Sequence, residues 1–219
     1  MKPIETPACR PTGSSIGSFS RTSHEPPMKA GCVIMASGQS RRFGGNKLLT
    51  DFHGEPMIMR VIRATEGIFA RRVVVTRHED VARLCRERGI DVVFHDRPYR
   101  SDTVRLGIEQ MEGMDGCLFC PGDQPLLRRE TIESIALLGA NDRGNILRAC
   151  FGETLGMPVL FPTWTFEALA CLPEGKGGGF LMKKYPDRVR PVSALDEYEL
   201  ADVDDRETLG KLLALLPGK

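Results

Sequence analysis

Apolar and polar positions along the chain follow two alternating rhythms. Short, unbroken apolar runs at 31–36 (GCVIMA), 72–76 (RVVVT), 91–94, 116–120 (GCLFC) and 145–151 are expected strands buried on both faces. Between them the apolar residues recur at helical spacing. Helices are expected at 56–69, with Pro56 in the first turn, and at 79–88, ended by Gly89. Two more are expected at 101–111, with Ser101 as N-cap, and at 129–138.

Five strands joined by crossover helices imply an α/β fold: a mostly parallel, Rossmann-like sheet in three α/β/α layers. Ligands in such sheets bind beyond the carboxyl ends of the strands. Two loops therefore carry the most interest, the one after the strand at 31–36 and the Pro121-Gly122-Asp123-Gln124-Pro125 loop after the strand at 116–120. Farther along the pattern is less regular. A strand is expected at 158–161, a helix at 164–172, a glycine-rich break at 175–179 (GKGGG), a short helix, a strand-like RVRPV and a last helix at 206–216.

The first 29 residues have no such rhythm. They are rich in Pro, Ser, Thr and Gly, and lack the apolar core of a secretory signal, so they read as a disordered tail. Met28 and Lys29, directly before the first strand, look like a natural start, and residues 30–219 read as a single domain. No apolar run approaches the roughly 20 residues of a membrane span.

Composition narrows the partners. Thirty basic residues face 29 acidic ones, for a net charge of +1, which disfavours nucleic acid. Seven scattered cysteines suggest reduced thiols in a cytoplasmic protein. Cys117 and Cys120 form a lone C-x-x-C, but they stand in an expected strand and should point to opposite faces, so they read as core residues. His24, His53, His78 and His95 show no metal-ligand spacing and receive no role.

The loop after the first strand reads MASGQSRRFGGNK, residues 35–47. Glycines and cations following a strand suit an anion, yet this is neither common phosphate loop. Lys47 is preceded by Asn46 and followed by Leu48, against the G-K-[ST] of a Walker loop, and Ser40 stands where the dinucleotide fingerprint needs its second glycine.

The string A-x-G-x-S-x-R-F-G-x-N-K-L-L, starting at Ala36, closely resembles the signature of the small nucleotidyltransferases that activate the molybdenum cofactor. The resemblance continues at YRSDTVRLGI (99–108), PGDQPLL (121–127), GMPVLF (156–161) and ELADVDDRETL (199–209), in the family's order. Within the MobA-like NTP transferase family, R-F-G, K-L-L and D-Q-P together resemble the cytidylyltransferase branch. The resemblance implies a fold of the nucleotidyltransferase (GT-A-like) type. It also implies transfer of CMP from CTP to the phosphate of a molybdopterin-type cofactor, with release of pyrophosphate. A molybdenum hydroxylase or its maturation factor would take the product.

On this resemblance Arg42 and Lys47 would neutralise the triphosphate, and Asp123 would hold Mg²⁺, a hard cation suited to carboxylate oxygens. Ala36, Ser37, Gly38, Ser40, Lys47, Ser101 and Thr103 would contact the nucleotide, Arg105 being a weaker candidate. Ser101 and Thr103 could equally serve the start of their helix. Among Asp202, Asp204 and Asp205, the resemblance favours Asp204 as second metal carboxylate, although an acid there could instead cap the last helix. Relatives carry a G-D-x-G-A-R-like segment where this chain has EGKGGG, leaving Lys176 as the remaining cation for the acceptor. Guanylyl transfer, a sugar- or alcohol-phosphate acceptor, and a non-catalytic accessory that binds nucleotide or cofactor stay open beside the leading reading.

Overall fold

A computed structural model describes residues 29–216. The tail expected over 1–29 therefore lies outside the described residues, except for Lys29, whose backbone N–H donates to the Asp115 carboxylate.

Three parallel pairings form one half of the sheet: β1 (Ala30–Ala36) lies between β2 (Arg71–Thr76) and β4 (Gly116–Pro121), and β3 (Val92–Phe94) flanks β2. Beyond β4 come β6 (Thr154–Pro162), β5 (Ile146–Phe151) and β7 (Val189–Ser193), giving the order β3-β2-β1-β4-β6-β5-β7. The mostly parallel, three-layer expectation holds, with one insertion that the apolar pattern does not reveal. β6 runs antiparallel to both β4 and β5, returning from β5 by a tight hairpin. It spans nine residues, where the apolar run suggested four at 158–161.

β1 and β4 are buried along nearly their whole length, as expected of central strands covered on both faces. Alternate residues feed two cores. On one side Cys32, Ile34, Leu118 and Cys120 pack with α1 (Met57–Ala64), α2 (Glu79–Glu87), α4 (Arg129–Asn141) and α7 (Arg206–Leu215). On the other, Val33, Val75, Cys117 and Phe119 pack with α3 (Arg100–Glu109), α5 (Phe166–Ala170) and α6 (Gly179–Lys184). Cys117 and Cys120 thus fall in opposite cores, as the strand period requires.

Three helix expectations are corrected. The helix expected over 56–69 stops at Ala64, because the Thr65 hydroxyl bonds back to the carbonyls of Val61 and Ile62 and Gly67 follows at φ +69°. The helix at 101–111 begins at Arg100 with Tyr99 as N-cap, so Ser101 is not the cap. The Asp102 carboxylate accepts the Tyr99 N–H at 3.1 Å instead. The segment at 164–172 divides into a single turn, Thr163–Thr165, and the short α5.

The C-terminal segment returns across the carboxyl ends of the strands. Glu199, 1% exposed, accepts the N–H groups of Arg128 at 3.0 Å and Leu195 at 2.9 Å. Paired this way, a buried carboxylate pins the chain just before residues 201–205. The Val203 N–H then donates to the Asp123 carbonyl at 2.9 Å. The bonds from Arg128 to Glu199 and from Val203 to Asp123 bring the acidic stretch beside the loop that follows β4. No helix among the described residues is long and apolar enough to cross a membrane.

Candidate active site

β1 ends at Ala36 and the chain then crosses the sheet's carboxyl edge as the loop 37–46. Phe43, 3% exposed, anchors this loop in the core, with the Arg206 guanidinium over its ring. Ser40 adopts φ 48°, a left-handed conformation that a serine holds at some cost and that turns the chain sharply before the two arginines. Asn46 closes the loop by accepting the Leu48 N–H and donating to Asp80 at the start of α2. The next residue, Lys47, is therefore fixed at its backbone as well as by its partners.

Lys47 is 6% exposed and its ammonium lies 2.6 Å from Asp123 and 3.1 Å from Asp204. Burial opposes its charge, but the two carboxylates outweigh it and raise its pKa above the ordinary lysine value. Arg42 reaches the other oxygen of Asp204 at 2.5 Å. Asp205, the neighbouring acid, caps α7 by accepting the Thr208 N–H at 2.8 Å, which settles the choice within the acidic triplet: the cap is Asp205, and Asp204 is free to face the cations.

The loop after β4 approaches β1 closely. A Cβ on Gly122 would lie 3.1 Å from the Met35 carbonyl, while the Gly122 N–H donates to that carbonyl at 2.9 Å. Gln124, 2% exposed, donates through its side-chain amide to the Leu200 carbonyl at 3.1 Å and the Asp202 carboxylate at 3.0 Å. Burial and the nearby Asp123 push Asp202 up to about 6, against the bond from Gln124. The sequence reading gives Gln124 no role and sets Asp202 behind Asp204. The signal for both was available in their position, one beside Asp123 and the other two residues from Asp204.

These groups line a cavity of about 750 Å³ at the carboxyl ends of β1 and β4. Its walls include Ser37, Gly38, Ser40, Arg42, Lys47, Thr103, Asp123 and Asp204 from the expected set, together with Asp202. Ala36 is 1% exposed beneath the loop, and Ser101 is wholly buried with its hydroxyl accepting the Gly175 N–H at 3.3 Å, so neither side chain is part of the wall. Lys176 is exposed and outside the wall, where Gly177, Gly178 and Gly179 stand instead. Arg105 bonds to the carbonyls of Ala170 and Leu172 and to Asp102, a structural task that ties α3 to the segment after α5.

The cavity has two unlike halves. Around Lys47 it is polar and charged. Its lining also includes Phe119, Met157, Phe161, Leu169 and Met182, which cluster in or against the second core, and Arg97 and Arg100. A second cleft of about 500 Å³ contains several arginines, but Arg63 pairs with Glu55 at 2.9 Å and Arg128 with Asp196 at 3.4 Å.

Among the described residues no three histidine, cysteine or acidic side chains converge as a ready-made metal cage. What is present is a pair of carboxylates, Asp123 and Asp204, aimed at one buried ammonium, with Asp202 alongside. That donor set fits Mg²⁺ or Mn²⁺, which take one or two carboxylates and complete their shell with phosphate and water oxygens. Asp202 yields a pH prediction for the metal-free protein. Its folded pKa of about 6 exceeds the ordinary 3.8. The stability gained by keeping it protonated is therefore full below about pH 4 and lost as pH rises through about 6. Asp202→Asn should consequently gain in Tm over the wild type as pH rises from about 4 to 7 without metal. A Tm difference that stays constant over this range would contradict the assignment.

Comparison with known proteins adds three findings. Residues 32–189 match the family described as MobA-like NTP transferase domain. The 3-deoxy-manno-octulosonate cytidylyltransferase of Acinetobacter baumannii is 35% identical over 134 residues, covering 58% of this chain and 50% of that protein. The chain thus spans about half the length of the curated relatives it matches. Two solved structures share the fold. One is a nucleotidyl transferase from Methanothermobacter thermautotroptrophicus (TM-score 0.75, 20% identity, 85% of this chain and 97% of that one). The other is Rv0371c of Mycobacterium tuberculosis in complex with manganese (TM-score 0.70, 19% identity, 86% of this chain and 100% of that one).

Proposed function

The chain belongs to the MobA-like NTP transferase family, and from that premise we propose that it is a Mg²⁺-dependent cytidylyltransferase. It transfers CMP from CTP to the phosphate of a molybdopterin-type cofactor and releases pyrophosphate. The observation that carries this reading is the cluster of Lys47, Arg42, Asp123 and Asp204 at the carboxyl ends of β1 and β4. A protein that only held a nucleotide would need the cations. It would not need two carboxylates competing for the same ammonium, an arrangement that a divalent metal with its phosphates resolves.

The chemistry asks little of general acid–base catalysis. An acceptor phosphate oxygen, anionic at neutral pH, attacks the α-phosphorus, the bond to the bridging oxygen breaks, and pyrophosphate leaves in line. Catalysis is then positioning and charge neutralisation. Backbone groups of Ser37 and Gly38 meet the nucleotide at the end of β1. Lys47 and Arg42 turn from their carboxylate partners to the phosphates and offset the charge gathering on pyrophosphate. Asp123 and Asp204 would hold the metal, which when bound supplies Lewis-acid charge to the phosphate oxygens. Manganese in the Rv0371c complex and a cytidylyl group in the Acinetobacter baumannii relative's reaction support the metal and the base.

For the acceptor, the apolar wall of Phe119, Met157, Phe161, Leu169 and Met182 favours a ring system over a polyhydroxylated chain, whose hydroxyls would find few partners there. A second reading keeps CTP and replaces the acceptor with 3-deoxy-manno-octulosonate, favoured by the identity to the relative that uses it. Offering the two acceptors together with Mg²⁺ and CTP, and weighing the products by mass spectrometry, separates these readings. The cytosine dinucleotide of the molybdopterin-type cofactor is expected. Exclusive formation of the CMP-sugar would replace the first reading with the second. After transfer, a molybdenum hydroxylase or its maturation factor would receive the cofactor.

A further inference from the structure

Neighbouring strand ends hold the residues after β1 from behind. The Thr76 hydroxyl at the end of β2 donates to the Ala36 carbonyl at 2.9 Å, and itself accepts the His78 N–H at 3.1 Å. The His78 ring donates through Nε2 to the Gly38 carbonyl at 2.8 Å. Between them, Ser37 Oγ lies 2.9 Å from His95 Nε2 and 3.2 Å from the Val75 carbonyl. His95 follows β3, and its own N–H donates to the Thr76 carbonyl at 3.0 Å. Each of Ala36, Ser37 and Gly38 therefore receives one bond from a different side chain.

Proton counting fixes the state of the middle contact. The Ser37 hydroxyl has one hydrogen, and the Val75 carbonyl can only accept. Ser37 Oγ must then accept from His95, which places the imidazole hydrogen on Nε2. His95 Nδ1 is buried and has no hydrogen-bond partner among the described residues, in a side chain 7% exposed. The opposite tautomer would bury an unpaired N–H there, and the doubly protonated ring would do the same. The geometry holds His95 neutral, with Nε2 as donor.

We propose that His95 is a positioning residue for the nucleotide: by donating to Ser37 it directs the serine hydroxyl onto β2 and sets the Ser37–Gly38 backbone in its nucleotide-receiving shape. The inference rests on the proposed nucleotide site. It makes nucleotide affinity sensitive to His95 protonation. Burial lowers the pKa of the ring, and the charged groups around it are of both signs: Asp102 on α3 and Asp96 beside it favour the charged form, while Arg77 beyond β2 and Arg97 oppose it. Asp102 is already engaged by the Tyr99 N–H and by Arg105. Acidification should therefore cost affinity, since a protonated ring would bury an unpaired N–H.

The test uses the full chain with Mg²⁺ and titrates CTP, GTP, ATP and UTP separately, following with the best binder. His95→Phe keeps a ring and removes the donor. It should weaken Kd and raise KM for that nucleotide about tenfold, with kcat changed less than about twofold. His95→Gln, whose side-chain amide can donate from nearly the same place, should restore Kd to within about threefold of the wild type. A merely structural role would reduce the amount of active protein, and so the apparent kcat, while leaving KM alone. Wild-type KM and Kd in His95→Phe overturn the inference and leave the proposed function standing. Failure of the wild type to bind any of the four overturns both. Should His95→Phe not fold, pH decides: wild-type affinity should fall relative to His95→Gln as pH drops below the ordinary histidine value of about 6.5, and parallel profiles overturn the inference.

Discussion

Asp123→Asn should lower pyrophosphate release by roughly a thousandfold or more while leaving the fold intact. The substitution keeps the size of the side chain and removes the charge that both Lys47 and a divalent cation would use. Stability should change little, for two reasons. Lys47 retains Asp204 at 3.1 Å, so its ammonium is not left buried without a carboxylate. The backbone bond from Val203 to the Asp123 carbonyl, which holds the two loops together, does not involve the side chain. Far-UV circular dichroism and thermal melting check the fold, and single-turnover pyrophosphate release checks the chemistry. Activity within about tenfold of wild type would remove Asp123 from the metal assignment.

Lys47→Met comes next in size, with an expected loss of about a hundredfold or more in kcat. Methionine fills the buried path of the lysine stem, so packing is preserved and the loss is one of charge. The variant should show a second, opposite effect. Without the ammonium, Asp123 and Asp204 face each other across a vacated position. Divalent cation affinity in the absence of nucleotide should therefore rise, by roughly tenfold, and this is measurable by Mn²⁺ titration. A fall in kcat together with tighter Mn²⁺ binding supports the competition between lysine and metal for the same carboxylates. Unchanged or weaker Mn²⁺ binding would place the metal elsewhere.

Much of this site was legible in the sequence because its parts are local. β1, β2 and β4 are covered on both faces, which requires continuous apolar runs, and the loop after such a strand is where ligands bind. Arg42, Lys47 and Asp123 stand in those loops and meet as expected. Asp204 was harder, because any acid ahead of a helix can be its cap. What distinguishes the two neighbours is the bond from Thr208 to Asp205 and the pairing of Asp204 with Lys47 and Arg42. The insertion of β6 between β4 and β5 has no local signature, since strand order is a property of the assembled sheet.

Contacts between distant residues account for the other omissions. His95 lies 58 residues from its partner Ser37, and no spacing rule joins them. Its position just beyond the end of β3 was the available clue, since that edge of a parallel sheet gathers the ligand-facing residues. Ser101 was expected at the nucleotide on the resemblance, or at the start of its helix, but its hydroxyl accepts the Gly175 N–H. In the GKGGG segment, the residues that reach the cavity are Gly177, Gly178 and Gly179, and a Cβ on Gly178 would meet the Phe161 ring at 2.5 Å. That segment therefore shapes the cavity beside Phe161 by its lack of side chains, while the exposed Lys176 is not among the residues of the wall.

Transfer of a nucleotide is tested most directly by one assay. The full chain is incubated with Mg²⁺, a molybdopterin-type cofactor and each of the four nucleoside triphosphates in turn, with pyrophosphate followed over time. Release is expected to be selective for CTP, to require the acceptor and to match the dinucleotide formed one for one. Binding of cofactor and nucleotide with no pyrophosphate from any of the four would contradict it and leave a carrier in place of an enzyme.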